Sequence, residues 1–241
     1  MRREFIVEPI DGSFSLKEHI YDVLKDAIMA MNIYADDAQL KLDERQLSDQ
    51  LQISRTPIRE ALARLEQEGL VRVVPRKGVF ILRKSVDEIL EMITVWAALE
   101  SMAARLVTER ATDAAIKSLR KLLVSFSEDE AKTHLDEYSE ANIRYHRRIL
   151  ELSGCKLLLS IADGLFLHMR AIRARTMTED NRVQRSVVDH NGIIEAIEAR
   201  DGDLAERLVR EHTMKLHAHV KSTWVEPTDQ EAAETPEKMA L

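Results

Sequence analysis

Four side chains in the second half of the chain have the types and spacing of metal ligands. Asn142 and His146 are four residues apart, so a helix would project both from one face. His190 and His212 lie on two later predicted helices. Imidazoles from three helices can meet in the core of a bundle, where metal sites are commonly built. The chain has eight histidines, however, so the same residues also fit a chance grouping of surface or hydrogen-bonded core side chains.

A more specific signal lies earlier, in the run SRTPIREAL at residues 54–62. Ser54 or Thr56 can cap the orphan amides of a helix start, and Pro57 suits a first turn, where its missing N–H costs nothing. Apolar residues at helical spacing must face a core: Ile58, Ala61, Leu62 and Leu65. Basic residues stay on the outside: Arg55, Arg59 and Arg64. This pattern is typical of a helix that reads a DNA major groove, although an amphipathic helix with solvated arginines would look similar.

Neighbouring segments predict the rest of a winged helix-turn-helix. A first helix spans residues 16 to 31, and a second runs from Asp43, a capping residue with Gln46 three positions on, to about Leu51. After Gly69, residues 70–74 and 79–82 are predicted strands, joined by a turn at residues 75–78. This hairpin would be the wing, and its tip carries Arg76, Lys77 and Gly78.

The charge of the chain has to be considered locally. The formal net charge is −7, which by itself argues against a nucleic-acid binder. Residues 53–84, however, contain eight basic and three acidic side chains, a local net charge of +5. That local excess is the electrostatic footprint that a phosphate backbone requires.

From Val86 onward the strand signals vanish and apolar residues recur at helical spacing. Six helices are predicted, at residues 87–110, 113–127, 131–152, 155–176, 181–200 and 202–222. The fold class is therefore mainly α, with an N-terminal winged helix-turn-helix and a C-terminal all-helical bundle. The predicted domains are residues 1–84 for DNA binding, 85–224 for effector binding and dimerisation, and 225–241 as a flexible, acidic tail.

Cysteine usage and hydropathy bear on the cellular compartment. The single cysteine, Cys155, excludes an intramolecular disulfide and suits a reducing environment. No apolar stretch is long enough to cross a bilayer, and the start of the chain does not have the pattern of a signal peptide. We therefore expect a cytoplasmic protein without a membrane partner.

The block DERQLSDQLQISRTPIREALARLEQEGLVRVVPRKGVFI, residues 43–81, resembles the DNA-binding domain of GntR-type bacterial transcription regulators. The resemblance implies that Arg45, Arg55 and Arg59 contact operator DNA and that Gly78 lets the wing backbone approach the minor groove. The other expected DNA contacts in this block are Ser54, Thr56, Arg64 and Lys77. One departure is the loop at residues 34–40, YADDAQL, which lacks the glycine that the family commonly has there.

The second half resembles an FCD domain, the effector domain of the FadR subfamily, and in particular its six-helix VanR-like branch. Two segments carry this likeness, NIRYHRRILELSGCKLL at residues 142–158 and VVDHNGIIEAIEARDGDLAERLVREH at residues 187–212. In that family an aspartate and three histidines often bind zinc or nickel. The matching positions here are Asn142, His146, His190 and His212. Asn142 stands where the family has aspartate, so it brings an oxygen but no charge, and three histidines still suffice for zinc.

The same resemblance bears on the effector. Relatives often carry a pocket arginine four residues before Glu100, where this chain has Trp96. An anchor for an acid would then be missing or replaced by another residue of the bundle: Arg144, Arg170 or Arg173. The expected effector is an organic-acid-like metabolite, less acidic or partly aromatic. Trp96 fits plain core packing equally well.

Together these features predict a ligand-responsive transcription regulator, most often a repressor in this family, that binds a palindromic operator as a homodimer. A symmetric site needs two recognition helices, and each chain offers one. An alternative is a helical-bundle metal-dependent hydrolase using the three histidines. It would need a general base beside the metal, and no HExxH pairing is present. A second alternative is an effector-independent architectural DNA binder, against which a large helical domain with polar groups at core spacing argues.

Overall fold

The computed structural model describes residues 16–35, 37–123, 128–177 and 182–225, and these divide into two compact units. The first comprises the described part of residues 1–31 together with 39–82. The second comprises the described part of residues 32–38 and of everything from Arg83 onward. Apart from Val225, the predicted tail at residues 225–241 lies outside the described residues.

The first unit is a winged helix-turn-helix, as predicted. Its helices are α1 (Leu16–Ala30), α2 (Glu44–Leu51) and α3 (Arg55–Gln67). Its strands are β1 (Lys41–Leu42), β2 (Val71–Val74) and β3 (Gly78–Ile81), and they form a sheet of order β1-β3-β2. The two-residue strand β1 was not predicted, because it has no alternating pattern of its own and is defined only by pairing with β3.

Local signals explain the helices of this unit. The Asp43 carboxylate accepts hydrogen bonds from the amides of Arg45 and Gln46, so it caps α2. Ser54 occupies the N-cap position of α3 but makes no side-chain capping bond. The four apolar residues predicted to face the core are the buried residues of α3: Ile58, Ala61, Leu62 and Leu65. Their burial sets the outward direction of the arginines between them.

The wing is a short antiparallel hairpin in which Val74 pairs with Gly78. Two residues of its turn have positive φ angles, Arg76 at 65° and Gly78 at 124°. Side chains are strained at the latter angle, so glycine is the residue that this position favours. A Cβ on Gly78 would also lie 3.4 Å from the Lys41 side chain of β1.

The regular elements of the second unit are all helices in its described part, and they number seven where six were predicted. They are α4 (Val86–Arg110), α5 (Asp113–Leu123), α6 (Glu128–Thr133), α7 (Leu135–Leu152), α8 (Lys156–Met177), α9 (Arg182–Glu198) and α10 (Gly202–Thr223). The extra helix arises because the predicted helix 131–152 breaks at His134, whose φ and ψ are −116° and 55°. The Thr133 hydroxyl donates to the Asp129 carbonyl, a bond that commonly bends helices, and Asp136 and Glu137 favour a new helix start.

Helix α4 is the central element of this unit. It begins with a capping box, in which Ser85 and Glu88 satisfy each other's backbone amides. It packs chiefly against α10 and, to a smaller extent, against α7 and α8. None of the described helices combines the length and apolar character needed to cross a bilayer.

Residues 32–38, which follow α1, fold with the helical unit rather than with the helices on either side of them in the chain. Ile33 and Tyr34 are buried. The Arg83 guanidinium donates to the carbonyls of Ile33 and Ala35 at 2.6 Å each, and Arg175 of α8 donates to the Tyr34 carbonyl at 3.0 Å. The Tyr34 hydroxyl lies 3.0 Å from Nδ1 of His168.

The start of α10 approaches α4 so closely that only glycine fits. A Cβ on Gly202 would lie 2.9 Å from Oγ1 of Thr108, whose hydroxyl already donates to the Arg105 carbonyl. Gly202→Ala should therefore cost about 1–3 kcal/mol and lower the thermal midpoint by several degrees. Gly164→Ala is the matched control, because a Cβ there meets nothing within 4 Å and should raise the midpoint slightly. Equal shifts in differential scanning calorimetry would contradict the proposed crowding.

Candidate DNA-reading surface and three-histidine centre

Four arginines on α2 and α3 are exposed: Arg45, Arg55, Arg59 and Arg64. Arg59 is 63% exposed, and its Nε lies 2.6 Å from a carboxylate oxygen of Glu44. Arg55 makes no hydrogen bond or ion pair with any other described residue. Such exposed ion pairs contribute little to stability, so both arginines are available to a polyanion at small cost.

The remaining predicted DNA contacts occupy different surroundings. Ser54 and Thr56 are exposed at the amino end of α3, and Lys77 and Gly78 lie at the turn of the wing. The guanidinium of Arg64 instead stacks over the Tyr21 ring of α1 at 3.6 Å and pairs with Glu68. Arg64 thus supports the packing of α3 on α1, which nothing in its sequence context indicated.

Three histidines meet in the interior of the helical unit. His146 of α7, His190 of α9 and His212 of α10 are buried, and one ring nitrogen from each lies within 4.8 Å of the others. The Nε2 atoms of His146 and His190 are 3.3 Å apart. Two nitrogens that share a tetrahedral zinc ion at the usual bond length would lie about 3.3 Å apart. The described residues therefore contain one histidine cluster with metal-ligand spacing.

Each of these histidines has a partner for its other ring nitrogen. Nδ1 of His146 contacts Oε1 of Glu100, and Nδ1 of His212 lies 3.1 Å from Oδ2 of Asp189. Nδ1 of His190 lies 3.3 Å from the Tyr138 hydroxyl.

The Tyr138 hydroxyl donates its own proton to Ser186 at 2.9 Å, so its oxygen is left to accept from His190. The carboxylates of Glu100 and Asp189 likewise accept from their histidines. All three Nδ1 atoms are then protonated, which leaves each Nε2 with a lone pair that can bind a metal. Metal-bound histidines are oriented by outer partners of this kind.

Asn142 lies one turn before His146 on α7. It is completely buried, and neither its amide oxygen nor its amide nitrogen has a hydrogen-bond partner among the described residues. A buried amide without partners costs a few kcal/mol of stability, so such a group usually has a role.

A buried polar network surrounds Glu100. One of its oxygens, Oε2, accepts from Trp96 Nε1 at 2.8 Å, from Thr213 at 3.3 Å and from Arg173 at 3.4 Å. Burial raises the pKa of the Glu100 carboxyl above its usual value, and the Arg173 guanidinium together with the Trp96 and Thr213 donors offsets only part of that rise. Trp96 and Arg173 can only donate. Oε2 therefore carries no proton, and the permanently charged Arg173 guanidinium favours the ionised carboxylate.

Burial also sets the charge of the histidines. It holds the pKa values of His146 and His190 well below the ordinary value, and neighbouring Arg173 and His212 lower them further. The pKa of His212 is lowered by burial as well, although Asp189 partly offsets that effect. All three imidazoles are therefore neutral at pH 7, which is the state that binds a metal.

The predicted effector residues are not all near this centre. Arg173 is buried, and its Nη1 lies 2.6 Å from Nε2 of His146. Trp96 is also buried, and its Nε1 donates to Glu100, which in turn contacts His146. Arg144 is exposed on α7, and Arg170 pairs with Glu140 at 2.6 Å. The structure therefore brings Arg173 and Trp96 to the histidine centre, and it shows no contact of Arg144 or Arg170 with that centre.

Several members of the network were missed from the sequence: Glu100, Tyr138, Asp189 and Thr213. Two weak signals existed. Glu100 follows Trp96 by one helical turn, and Asp189 directly precedes His190. Neither spacing reveals a partner on another helix.

Comparison with known proteins agrees with this architecture. Residues 16–81 match the family described as bacterial regulatory proteins, gntR family, and residues 91–215 match the FCD domain. The chain is 23% identical to the HTH-type transcriptional repressor RspR of Escherichia coli K12 over 188 residues, 78% of this chain and 82% of RspR. It is 32% identical to the Nta operon transcriptional regulator of Aminobacter aminovorans over 133 residues, 55% of this chain and 63% of that protein.

Solved structures show the same fold. E. coli McbR/YncC superposes with a TM-score of 0.71 at 21% identity, covering 87% of this chain and 98% of that one. A putative GntR regulator from Rhodococcus sp. RHA1 gives a TM-score of 0.69 at 18% identity, covering 88% and 100%. The matched families and these relatives are transcription regulators rather than enzymes. The chain therefore belongs to the gntR family of bacterial regulatory proteins, with an FCD domain as its helical unit, and is a DNA-binding transcription regulator.

Proposed function

We propose that this regulator is a repressor that binds an inverted-repeat operator as a homodimer and responds to a small anionic metabolite through a metal centre in its FCD domain. The observation that carries this proposal is the buried cluster of His146, His190 and His212, in which one ring nitrogen from each lies within 4.8 Å of the others. Lone pairs of neutral imidazoles that face one another repel unless a donor or a cation lies between them, and Arg173 donates to that of His146.

The donor set fits zinc or nickel. Three neutral imidazoles are a common catalytic-type zinc set, and imidazole also suits nickel. The unpartnered Asn142 amide offers an oxygen from the same helix face as His146. A bound metal would supply a Lewis acid that accepts an oxygen of the effector. Since Asn142 has no charge, the ligands alone leave a divalent ion uncompensated, which favours an anionic effector.

Arg173 gives the second reason to expect an anion. Its Nη1 donates to Nε2 of His146, and a metal ligand cannot use one lone pair twice. Metal binding therefore requires Arg173 to release His146 while it keeps Glu100 as its counter-ion. A guanidinium beside a divalent cation favours an oxyanion between them. Arginine binds carboxylates well because two of its parallel N–H groups can donate to both carboxylate oxygens.

A second copy of the chain is the proposed partner of an apolar surface on α4. Val95 and Met102 are 47% and 43% exposed, and Ala98 between them is exposed on the same face. Residues seven apart repeat on one side of a helix, so this stripe can pack against its own symmetry mate.

Met102→Glu should therefore shift the sedimentation coefficient from dimer to monomer at micromolar concentration. Leu157→Glu, at a 72% exposed position of α8, is the matched control; dissociation by it alone would place the interface elsewhere.

Three measurements on one preparation test the proposed function. Protein purified without chelator or affinity-metal resin should contain about one zinc or nickel per chain. Footprinting should show two half-sites in inverted orientation. Screening metabolites by thermal shift, with and without metal, should give acids whose effect requires the metal and which release the operator. A stable monomer that protects one half-site, or metal far below one equivalent, would contradict the proposal.

A further inference from the structure

A cavity of about 310 Å³ opens between α9 and α10, next to the histidine centre. The residues that matter for its chemistry are Arg182, Arg185, Ser186, Asp189, His212 and Lys215. Its size is at the lower end for small-molecule sites and suits a metabolite of a few carbon atoms.

The cavity wall is basic although the chain as a whole carries a net charge of −7. Its lining includes the cations Arg182, Arg185 and Lys215 and one carboxylate, and Arg182 has a partner of its own. That carboxylate, Asp189, already accepts from Lys215 at 2.7 Å and from His212 at 3.1 Å. Arg185 is exposed and has no ion-pair partner among the described residues. Its charge is therefore unbalanced within the cavity.

Two polar residues of the wall are also outer partners in the histidine centre. Asp189 orients His212 directly. Ser186 accepts from the Tyr138 hydroxyl at 2.9 Å, and the same hydroxyl faces Nδ1 of His190. A group bound in the cavity would thus lie beside Asp189, which orients His212, and beside Ser186, which acts on His190 through Tyr138.

We infer that this cavity is an oxyanion site for a carboxylate or phosphate group, held by Arg185 and Lys215. Its link to metal rests on the proposed function, whereas its affinity for the anion does not. A bound anion that attracts Lys215 away from Asp189 would leave the Asp189 carboxylate to accept from His212 alone. A stronger acceptor at Nδ1 makes that imidazole a more basic metal ligand. Anion binding and metal retention should therefore reinforce each other, because coupling between two ligands is reciprocal.

The test uses full-length protein and isothermal titration with three probes: citrate, pyrophosphate and acetate. Citrate and pyrophosphate separate carboxylate from phosphate chemistry, and acetate measures the effect of a single charge. Whichever of citrate and pyrophosphate binds the parent protein should bind Arg185→Gln at least tenfold more weakly. This is the effect expected from the loss of one charge-assisted hydrogen bond. Arg207→Gln, on the exposed face of α10 and outside the cavity, is the matched control and should bind like the parent protein.

Metal-loaded and chelator-treated protein are titrated in parallel. Tighter binding to the loaded form, lost in Arg185→Gln while the metal content is unchanged, supports both the site and its coupling. Equal binding to both forms supports the site but overturns the coupling. Binding that Arg185→Gln and Lys215→Gln leave unaltered, or no binding of any probe, overturns the site. Absence of metal in every preparation contradicts the proposed function and leaves the anion measurement intact.

Discussion

Replacing Asn142 by aspartate is expected to tighten metal binding by about 10- to 100-fold, the range over which even outer partners change zinc affinity. The new carboxylate adds a negative ligand on the face of α7 that carries His146. Without metal, the same substitution should lower the stability of the protein. The new carboxylate would be buried without hydrogen-bond partners, as the Asn142 amide is now, and an unpartnered buried charge costs more than an amide. The thermal midpoint of Asn142→Asp should thus rise with zinc and fall with chelator, relative to the parent protein.

Asn191→Asp is the matched control, since it makes the same chemical change on the exposed face of α9. It should alter neither metal affinity nor the chelator response. His146→Ala should abolish metal retention yet leave operator binding measurable, because the DNA-reading helix belongs to the other unit. If Asn142→Asp shifts the midpoint in the same direction with and without metal, the centre is a polar core and not a metal site.

Operator binding should depend most strongly on Arg55 and Arg59. Arg55→Ala and Arg59→Ala should each weaken binding by about 1–3 kcal/mol, the usual value of a good bidentate base contact. The thermal midpoint should barely move, because both side chains are exposed and the Arg59–Glu44 pair contributes little. Gel-shift titration at fixed salt measures the effect.

Arg110→Ala removes one exposed cation from the end of α4 and serves as the control for net charge. If Arg55 and Arg59 contact bases, each of their alanine variants should also discriminate less between the operator and a sequence that is altered at one half-site position. If both α3 variants bind like the parent, α3 is not the reading helix.

Local chemistry accounts for what the sequence predicted well. The buried face of α3, the cap at Asp43 and the turn before Gly78 depend on residues within a few positions of one another. By contrast, strand β1 depends on a partner almost forty residues away, since Lys41 pairs with Phe80. The break at His134 depends on a side-chain bond from Thr133 that competes with the helix.

The histidine centre lies between these two cases. The four-residue spacing of Asn142 and His146 is local, but only packing brings in His190 and His212, and family resemblance was needed to single them out. The contacts of Glu100 and Asp189 connect different helices and have no periodic signature. Nothing in the composition of residues 32–38 shows that they fold with a distant part of the chain.

The placement of residues 32–38 determines how the protein can be divided. The chain passes from one unit to the other three times, at residues 31/32, 38/39 and 82/83, so no single cut separates them. A fragment ending at residue 82 would keep Ile33 and Tyr34 but lose Arg83, Arg175 and Trp224, which surround them in the whole protein. Those apolar side chains would face water, at a cost of about 1.5–3 kcal/mol for each large one. A cut at residue 82 therefore yields a fragment with an exposed apolar segment whose partners belong to the helical unit, and such a surface favours self-association.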